Sequence, residues 1–248
     1  MSAQEQDPKE LPAQDPIPLP AGTPALTPRQ VRELDRYAIE EVGIPGPVLM
    51  ENAAAARARL ARRLLPPGGR LLFLCGPGNN GGDGMAAHRL LAPAGELLLL
   101  GDPGRLKGDG ALQWRILEGS WVPVRATGEE AEAAAALAGL GAGDLVVAAL
   151  FGTGLDRPVG SPFAGAIEAV NRCPATVLAV DIPSGLQGES GEILGTAVRA
   201  DHTVTFAAPK SGFFRGRGPA CCGTLHLARI GLPPGLFAAF RERAGLSP

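Results

Sequence analysis

The chain has 248 residues and a mass of 25.4 kDa, with 45% hydrophobic and 19% charged residues, enough to bury a core in one large α/β domain or two small ones. Its 23 basic and 25 acidic residues leave a net charge of -2, which excludes a polyelectrolyte field that would hold nucleic acid or anionic lipid without a local basic patch. Glycine and proline, at 35 and 24 residues, make up close to a quarter of the chain, near the level of low-complexity sequences, so their placement decides their meaning.

The amino terminus, MSAQEQDPKE, has neither a basic n-region nor an apolar h-region, and no apolar run approaches the ~18 residues of a membrane span; a soluble, cytoplasmic protein is expected. Residues 1–25 carry six prolines among small polar residues and read as a disordered tail. Order is expected from Thr27-Pro28-Arg29-Gln30, a capping box with Pro at the first helical position. Val31, Leu34, Ala38 and Val42 follow at helical spacing, and Gly43 supplies a stop. A second helix is expected from Pro47 to Leu65, closed by Pro66-Pro67.

Short apolar runs then alternate with helical stretches. The runs are Leu71 to Cys75, Leu97 to Leu100, Trp121 to Val124, Leu145 to Leu150, Thr176 to Val180, Thr203 to Phe206 and Thr224 to Leu227. Between them, helices are expected at Asp83 to Leu91, Gly110 to Leu117, Glu129 to Leu140 and Phe163 to Asn171. Strands that are continuously apolar are buried on both faces, the pattern of a parallel sheet covered by helices in a doubly wound α/β fold. No internal repeat interrupts it, so residues 26–248 form one expected domain. Cys75, Cys173, Cys221 and Cys222 show no C-x-x-C pair and no zinc-finger His spacing, and read as free thiols in a reducing compartment.

Ligands of open parallel sheets bind at the carboxyl ends of the strands, and three loops there are rich in glycine and polar residues. In the first, Gly76-Pro77-Gly78-Asn79-Asn80-Gly81-Gly82-Asp83-Gly84, left-handed glycines and asparagines are expected to curl the backbone and turn its N–H groups, with the next helix terminus, toward a phosphate. It is neither a Walker A loop nor G-x-G-x-x-G. In the second, Leu150-Phe151-Gly152-Thr153-Gly154-Leu155-Asp156-Arg157-Pro158, Arg157 could pair with phosphate, although a solvated turn explains Asp156 and Arg157 equally. In the third, Asp181-Ile182-Pro183-Ser184-Gly185, Asp181 ends a buried strand, where an acid is costly unless it binds something; an Asx turn before Pro183 is the lesser reading.

Softer markers remain. Lys210, one of only three lysines beside twenty arginines, ends another strand on the same edge and would meet either a phosphate or solvent. His88, His202 and His226 share no ligand spacing and read as core or surface residues. Arg215 and Arg217 with Phe213 and Phe214 read as a loop anchor.

Taken in order, LMENA, GPGNNGGDG, ALFGTGL, AVDIPSGL and TVTFAAPK closely resemble the YjeF amino-terminal domain family, the NAD(P)H-hydrate epimerases, from about Leu26 to Pro233. The resemblance implies a Rossmann-like three-layer sandwich with a mostly parallel central sheet. It implies an isomerase that interconverts the R and S epimers of NADHX and NADPHX, damaged hydrated cofactors, so that a stereospecific dehydratase restores both. It further implies that Asn79, Asn80, Gly81, Gly82 and Asp83, with Gly152 to Pro158 and Asp181, bind substrate. Asp181 would also serve in acid/base chemistry, and Asn80 and Ser184 would ligate potassium. One departure stands out: the family's third potassium ligand is an Asp in V-D-A-L-F-G-T-G, and here that position is Ala148, which should weaken the cation site. Gln187 replaces the usual Asp of PSGLD. With only fifteen residues after Pro233, the dehydratase is expected to be a separate protein; a homodimer is expected, and neither nucleic acid nor membrane is an expected partner. The alternatives are a non-catalytic YjeF-type binding or interaction module, such as those of RNA-decapping factors, and an NAD-dependent oxidoreductase, which the missing dinucleotide fingerprint disfavours.

Overall fold

In the computed structural model, residues 15–92, 94–120, 122–233 and 235–243 are described. The strands are β1 (Ile17–Pro18), β2 (Leu71–Cys75), β3 (Glu96–Leu100), β4 (Val124–Thr127), β5 (Leu145–Ala149), β6 (Thr176–Val180), β7 (His202–Phe206) and β8 (Thr224–Ala228). They form one sheet in the order β1-β8-β7-β6-β5-β2-β3-β4, in which only β1 runs antiparallel, against β8. The helices are α1 (Pro28–Glu40), α2 (Gly46–Leu64), α3 (Asn79–Leu91), α4 (Gly108–Gly119), α5 (Glu130–Ala138), α6 (Phe163–Arg172), α7 (Gly218–Cys222) and α8 (Leu236–Arg243).

The continuous apolar runs become central strands because each must satisfy two cores. Leu71, Phe73 and Cys75 of β2 enter the core shared with α1 to α4 and α8, while Leu72 and Leu74 enter the core shared with α5 and α6. At roughly 1.5–3 kcal/mol for each fully buried large aliphatic side chain, this two-sided burial fixes both the register and the three-layer architecture. Helix α1 starts as the capping box requires: Gln30 N–H donates to Thr27 Oγ1 at 3.2 Å and Thr27 N–H to Gln30 Oε1 at 2.8 Å.

Three expectations need correction. The fourth strand is Val124–Thr127; of the expected run Trp121 to Val124, Trp121 lies outside the described residues and Val122 and Pro123 precede the strand. It lies at the sheet edge with Arg125 and Ala126 exposed, so burial does not demand an apolar run there. Helix α3 begins at Asn79, four residues before Asp83. The expected tail lies outside the described residues up to residue 14, but from Asp15 onward the chain follows the far sheet edge. Ile17 and Pro18 pair with Leu227 and His226, and Arg63 donates to the Pro16 carbonyl at 2.8 Å. Proline suits that edge because one side of such a strand needs no N–H donor. The four cysteines are free thiols.

Candidate active site

Strands β2 and β5 are neighbours, yet the chain leaves them in opposite directions, β2 toward β3 and β5 toward β6. The loops at their carboxyl ends therefore part, and the crevice between them is where open sheets of this kind take ligands. The strands end level, with Cys75 opposite Ala149. A cavity of about 550 Å³ opens above them, lined by Asn79, Asn80, Asp83, the segment 150–157, Asp181 and Arg32 from α1. A second cavity, of about 350 Å³, shares Arg32, Asn79, Asp83, Thr153 and Asp181 with the first and runs under α1 and α2 toward Arg57 and Lys210.

The glycines of the β2–α3 turn do not act through left-handed backbone, contrary to the expectation for that loop. None of Gly76, Gly78, Gly81, Gly82 and Gly84 has a positive φ. Their role is closeness: a Cβ on Gly81 would lie 1.8 Å from the Gly76 carbonyl oxygen, and one on Gly84 would lie 2.7 Å from Ala149 Cβ and 2.8 Å from Cys75 Sγ. Removing these side chains lets the first turn of α3 sit directly on β2 and β5, with Asn79 and Asn80 of that turn lining the crevice.

The opposite half of the crevice inverts this arrangement. Asp181 and Ala207, which follow β6 and β7, are the only non-glycine described residues with positive φ, at 63° and 59°. Each centres a tight three-residue turn, closed by Ile182 N–H to the Val180 carbonyl at 2.8 Å and by Ala208 N–H to the Phe206 carbonyl at 2.6 Å. Such turns are rare and strained, at a cost of order 1–3 kcal/mol each, and they hold Asp181 and Lys210 face to face. Lys210 is buried, and its Nζ donates to Asp181 Oδ1 and, at 2.7 Å, to Thr205 Oγ1. The lysine is therefore neither solvated nor a free phosphate ligand, because its charge is committed to the carboxylate. The Asp181 side chain is bound to Lys210 rather than closing an Asx turn.

A second buried ion pair lies beside it. Arg57 of α2, 2% exposed, meets Asp83 Oδ1 at 3.2 Å and donates to the Asp83 carbonyl at 3.3 Å. Its guanidinium lies 4.1 Å from the Phe206 ring centre, a stacked arrangement suited to arginine. Burial pushes the Asp83 carboxyl above the usual range, and Arg57 opposes the shift.

Asn80 and Ser184 converge on one peptide. Asn80 Nδ2 and Ser184 Oγ both donate to the Phe151 carbonyl at 3.0 Å, and Phe151 N–H donates to Ser184 Oγ at 2.9 Å. Asn80 Oδ1 is buried without a hydrogen-bond partner. Ala148 lies wholly buried between Leu74 and Ala179 and supplies no donor. The set thus offers one unpartnered neutral oxygen beside a carbonyl whose acceptor capacity is already used. It does not match the carboxylate-bearing potassium site implied by the resemblance. Gln187 does what an Asp would do in the same turn, its Oε1 accepting from Glu189 and Ser190 N–H at 2.7 and 2.6 Å.

Of the expected substrate residues, Asn79, Asn80, Asp83, Gly152 to Arg157 and Asp181 come together around the larger cavity. Gly81, Gly82 and Pro158 do not line it. Gly81 backs onto Gly76, Gly82 faces Gly110 of α4 and Pro158 packs toward Gly195, so each shapes the wall from behind. Asp156 and Arg157 are exposed and form no ion pair among the described residues. Arg32, Asp35 and Arg57 were not expected in the site; only their helical phase relative to the apolar stripe could have signalled them. His88 is a core residue, its Nε2 2.9 Å from the Gly95 carbonyl, and burial lowers its pKa. His202 and His226 touch across β7 and β8 at 3.1 Å, at the far side of the sheet from the crevice. Phe213 is buried while Phe214, Arg215 and Arg217 are exposed, consistent with a loop anchor.

Comparison with known proteins agrees with this geometry. A family model described as YjeF-related protein N-terminus matches residues 46–212. The NAD(P)H-hydrate epimerase of Rhodopirellula baltica is 41% identical over 220 residues, covering 88% of each chain, and that of Limosilactobacillus fermentum is 37% identical over 82% of this chain and 95% of its own. The bifunctional NAD(P)H-hydrate repair enzyme Nnr of Coxiella burnetii is 41% identical over 85% of this chain, which spans only 42% of that longer protein. The crystal structure of yeast ynu0 superposes with a TM-score of 0.74 at 22% identity, covering 88% of this chain and 93% of the other, and shares the fold. No helix among the described residues is long and apolar enough to cross a membrane.

Proposed function

The chain belongs to the YjeF-related amino-terminal family and its activity is that of an NAD(P)H-hydrate epimerase, and from that premise we propose how its own residues carry the exchange of epimers. The stereocentre, C6 of the hydrated nicotinamide ring, bears a hydroxyl and the ring nitrogen. To invert it, the hydroxyl takes a proton and leaves as water while the nitrogen lone pair closes a C6=N bond. A water then adds to the other face and gives up a proton. The chemistry needs a base, an acid and a shielded pocket, with no change of oxidation state.

The observation that carries the reading is Asp181, an acid held in strained backbone against a buried lysine and lining both cavities. Strained, over-determined residues concentrate at functional sites. Asp181, ion-paired with Lys210, is placed to accept the proton of the entering water. The α3 amino terminus and the segment 152–157 hold the dinucleotide in the larger cavity, and the reacting ring lies toward Asp181. Replacing Asp181→Asn should lower kcat for epimer exchange at least ~100-fold with KM within about threefold, because the isosteric amide still fills the site but cannot accept the proton. Exchange at the wild-type rate in that variant, followed by resolving the two epimers over time, would overturn the assignment.

A further inference from the structure

The exchange needs an acid as well as a base, and the second cavity, which Asp181 lines, holds another carboxyl, that of Asp35. We infer that Asp35 is the acid of this site, protonating the departing hydroxyl while Asp181 receives the proton of the entering water; the inference rests on the reading of Asp181 given above.

Asp35 belongs to α1, which the fold ties to Lys210, the partner of Asp181. Leu26 bridges to Lys210, with Leu26 N–H donating to the Pro209 carbonyl at 2.9 Å and Ser211 N–H to the Leu26 carbonyl at 2.8 Å. The capping box at Thr27 starts the helix from that anchor. Val31, Asp35 and Ile39, four residues apart, then present one face to the smaller cavity, in which Asp181 and Lys210 form part of the wall. Asp35 thus enters from a helix and Asp181 from a strand end, two different walls around one space.

The surroundings separate the two acids. Asp181 has Lys210 as a hydrogen-bonded counter-ion, whereas Asp35 has no hydrogen bond or ion pair among the described residues and stands between two apolar neighbours on its helix face. Burial raises its pKa to about 6; Lys210 opposes this, and Asp181 and Asp83 add to it. Arg57 and Asp109 line the same cavity from α2 and α4, and Arg32 lies beside Asp35 on α1. An acid raised by burial on one wall and an acid bound to a lysine on the other can divide the roles of acid and base. C6–O breaks and the oxygen departs as water with the proton of Asp35. A second water forms the new C6–O bond and passes its proton to Asp181. A proton returned from Asp181 to Asp35 through solvent resets the site.

The test compares wild type, Asp35→Asn and Asp35→Glu, with Asp181→Asn as control. In Asp35→Asn we expect kcat to fall at least ~100-fold with KM within about threefold, and Asp35→Glu to recover part of it. The wild-type rate should decline as pH rises above about 6, where Asp35 loses its proton, and this limb should vanish from the residual rate of Asp35→Asn. Thermal melting reports the same proton without activity. The folded state keeps the Asp35 proton between about pH 4 and 6 while the unfolded chain releases it, so wild-type stability falls as pH rises through that window. Asp35→Asn should remove that fall and melt at least as high as wild type at pH 8. A kcat within threefold of wild type in Asp35→Asn, or an unchanged alkaline limb, would overturn the role of Asp35 if Asp181→Asn remains inactive. If Asp181→Asn is also active, the underlying reading fails with it.

Discussion

The two halves of the crevice use backbone in opposite ways. On the β2 and β5 side, glycines sit at ordinary φ and serve to let a helix touch the sheet. On the β6 and β7 side, positive φ falls on Asp181 and Ala207, residues that resist it. The first half is a wall whose shape is set by missing side chains. The second holds strain to aim two charges at each other. Glycine thus marks close approach here and strain falls elsewhere, although the sequence alone suggests that one glycine-rich loop does both.

Substitutions can break this contrast. The largest effect should come from Gly81→Ala, where the new Cβ would fall 1.8 Å from the Gly76 carbonyl oxygen. A clash with backbone leaves no flexible side chain to yield, so a loss of at least ~3 kcal/mol or a failure to fold is expected in chemical denaturation. If Gly81→Ala were tolerated within 1 kcal/mol (roughly the median effect of a point mutation), the wall would be softer than its packing implies. Next is Arg57→Met, which leaves Asp83 without its counter-ion and strips Phe206 of its stacked guanidinium. About 3 kcal/mol should be lost at neutral pH, and less in acid, where Asp83 is neutral. A loss that does not depend on pH would reduce the pair to packing. The smallest effect should be Ala207→Gly, with a gain of about 0.5–1 kcal/mol because glycine accepts the turn without strain. A loss there would show that the strained half is less strained than its φ of 59° indicates.

Much of the fold was legible because its physics is local. Runs such as Leu71 to Cys75 are apolar at every position, and only a strand buried on both faces demands that. The strand at Val124–Thr127 escaped because an edge strand needs no such pattern, and β1 because two residues carry no period. In the site, Asp181 was legible as an acid at the end of a buried strand. Lys210 was half legible: its place on the correct edge could be read, but its partner lies 29 residues away in sequence. Arg57 looks like its neighbours Arg59, Arg62 and Arg63 on an alanine-rich helix, and only tertiary packing sends it, alone of the four, fully into the interior. Asp35, within Arg-Glu-Leu-Asp-Arg, has the appearance of one more solvated charge.

The Leu26 bridge ties the amino-terminal arm to the chemistry. A proteolytic nick or a bulky fusion between Leu19 and Leu26 would leave the central strands paired and their core with α5 and α6 untouched. It would nevertheless loosen the segment that seats Lys210 and the helix that carries Asp35. Damage in that arm would be felt first as a slower enzyme with its secondary structure nearly intact, so the arm is a part of the active site that happens to run along the outside of the molecule.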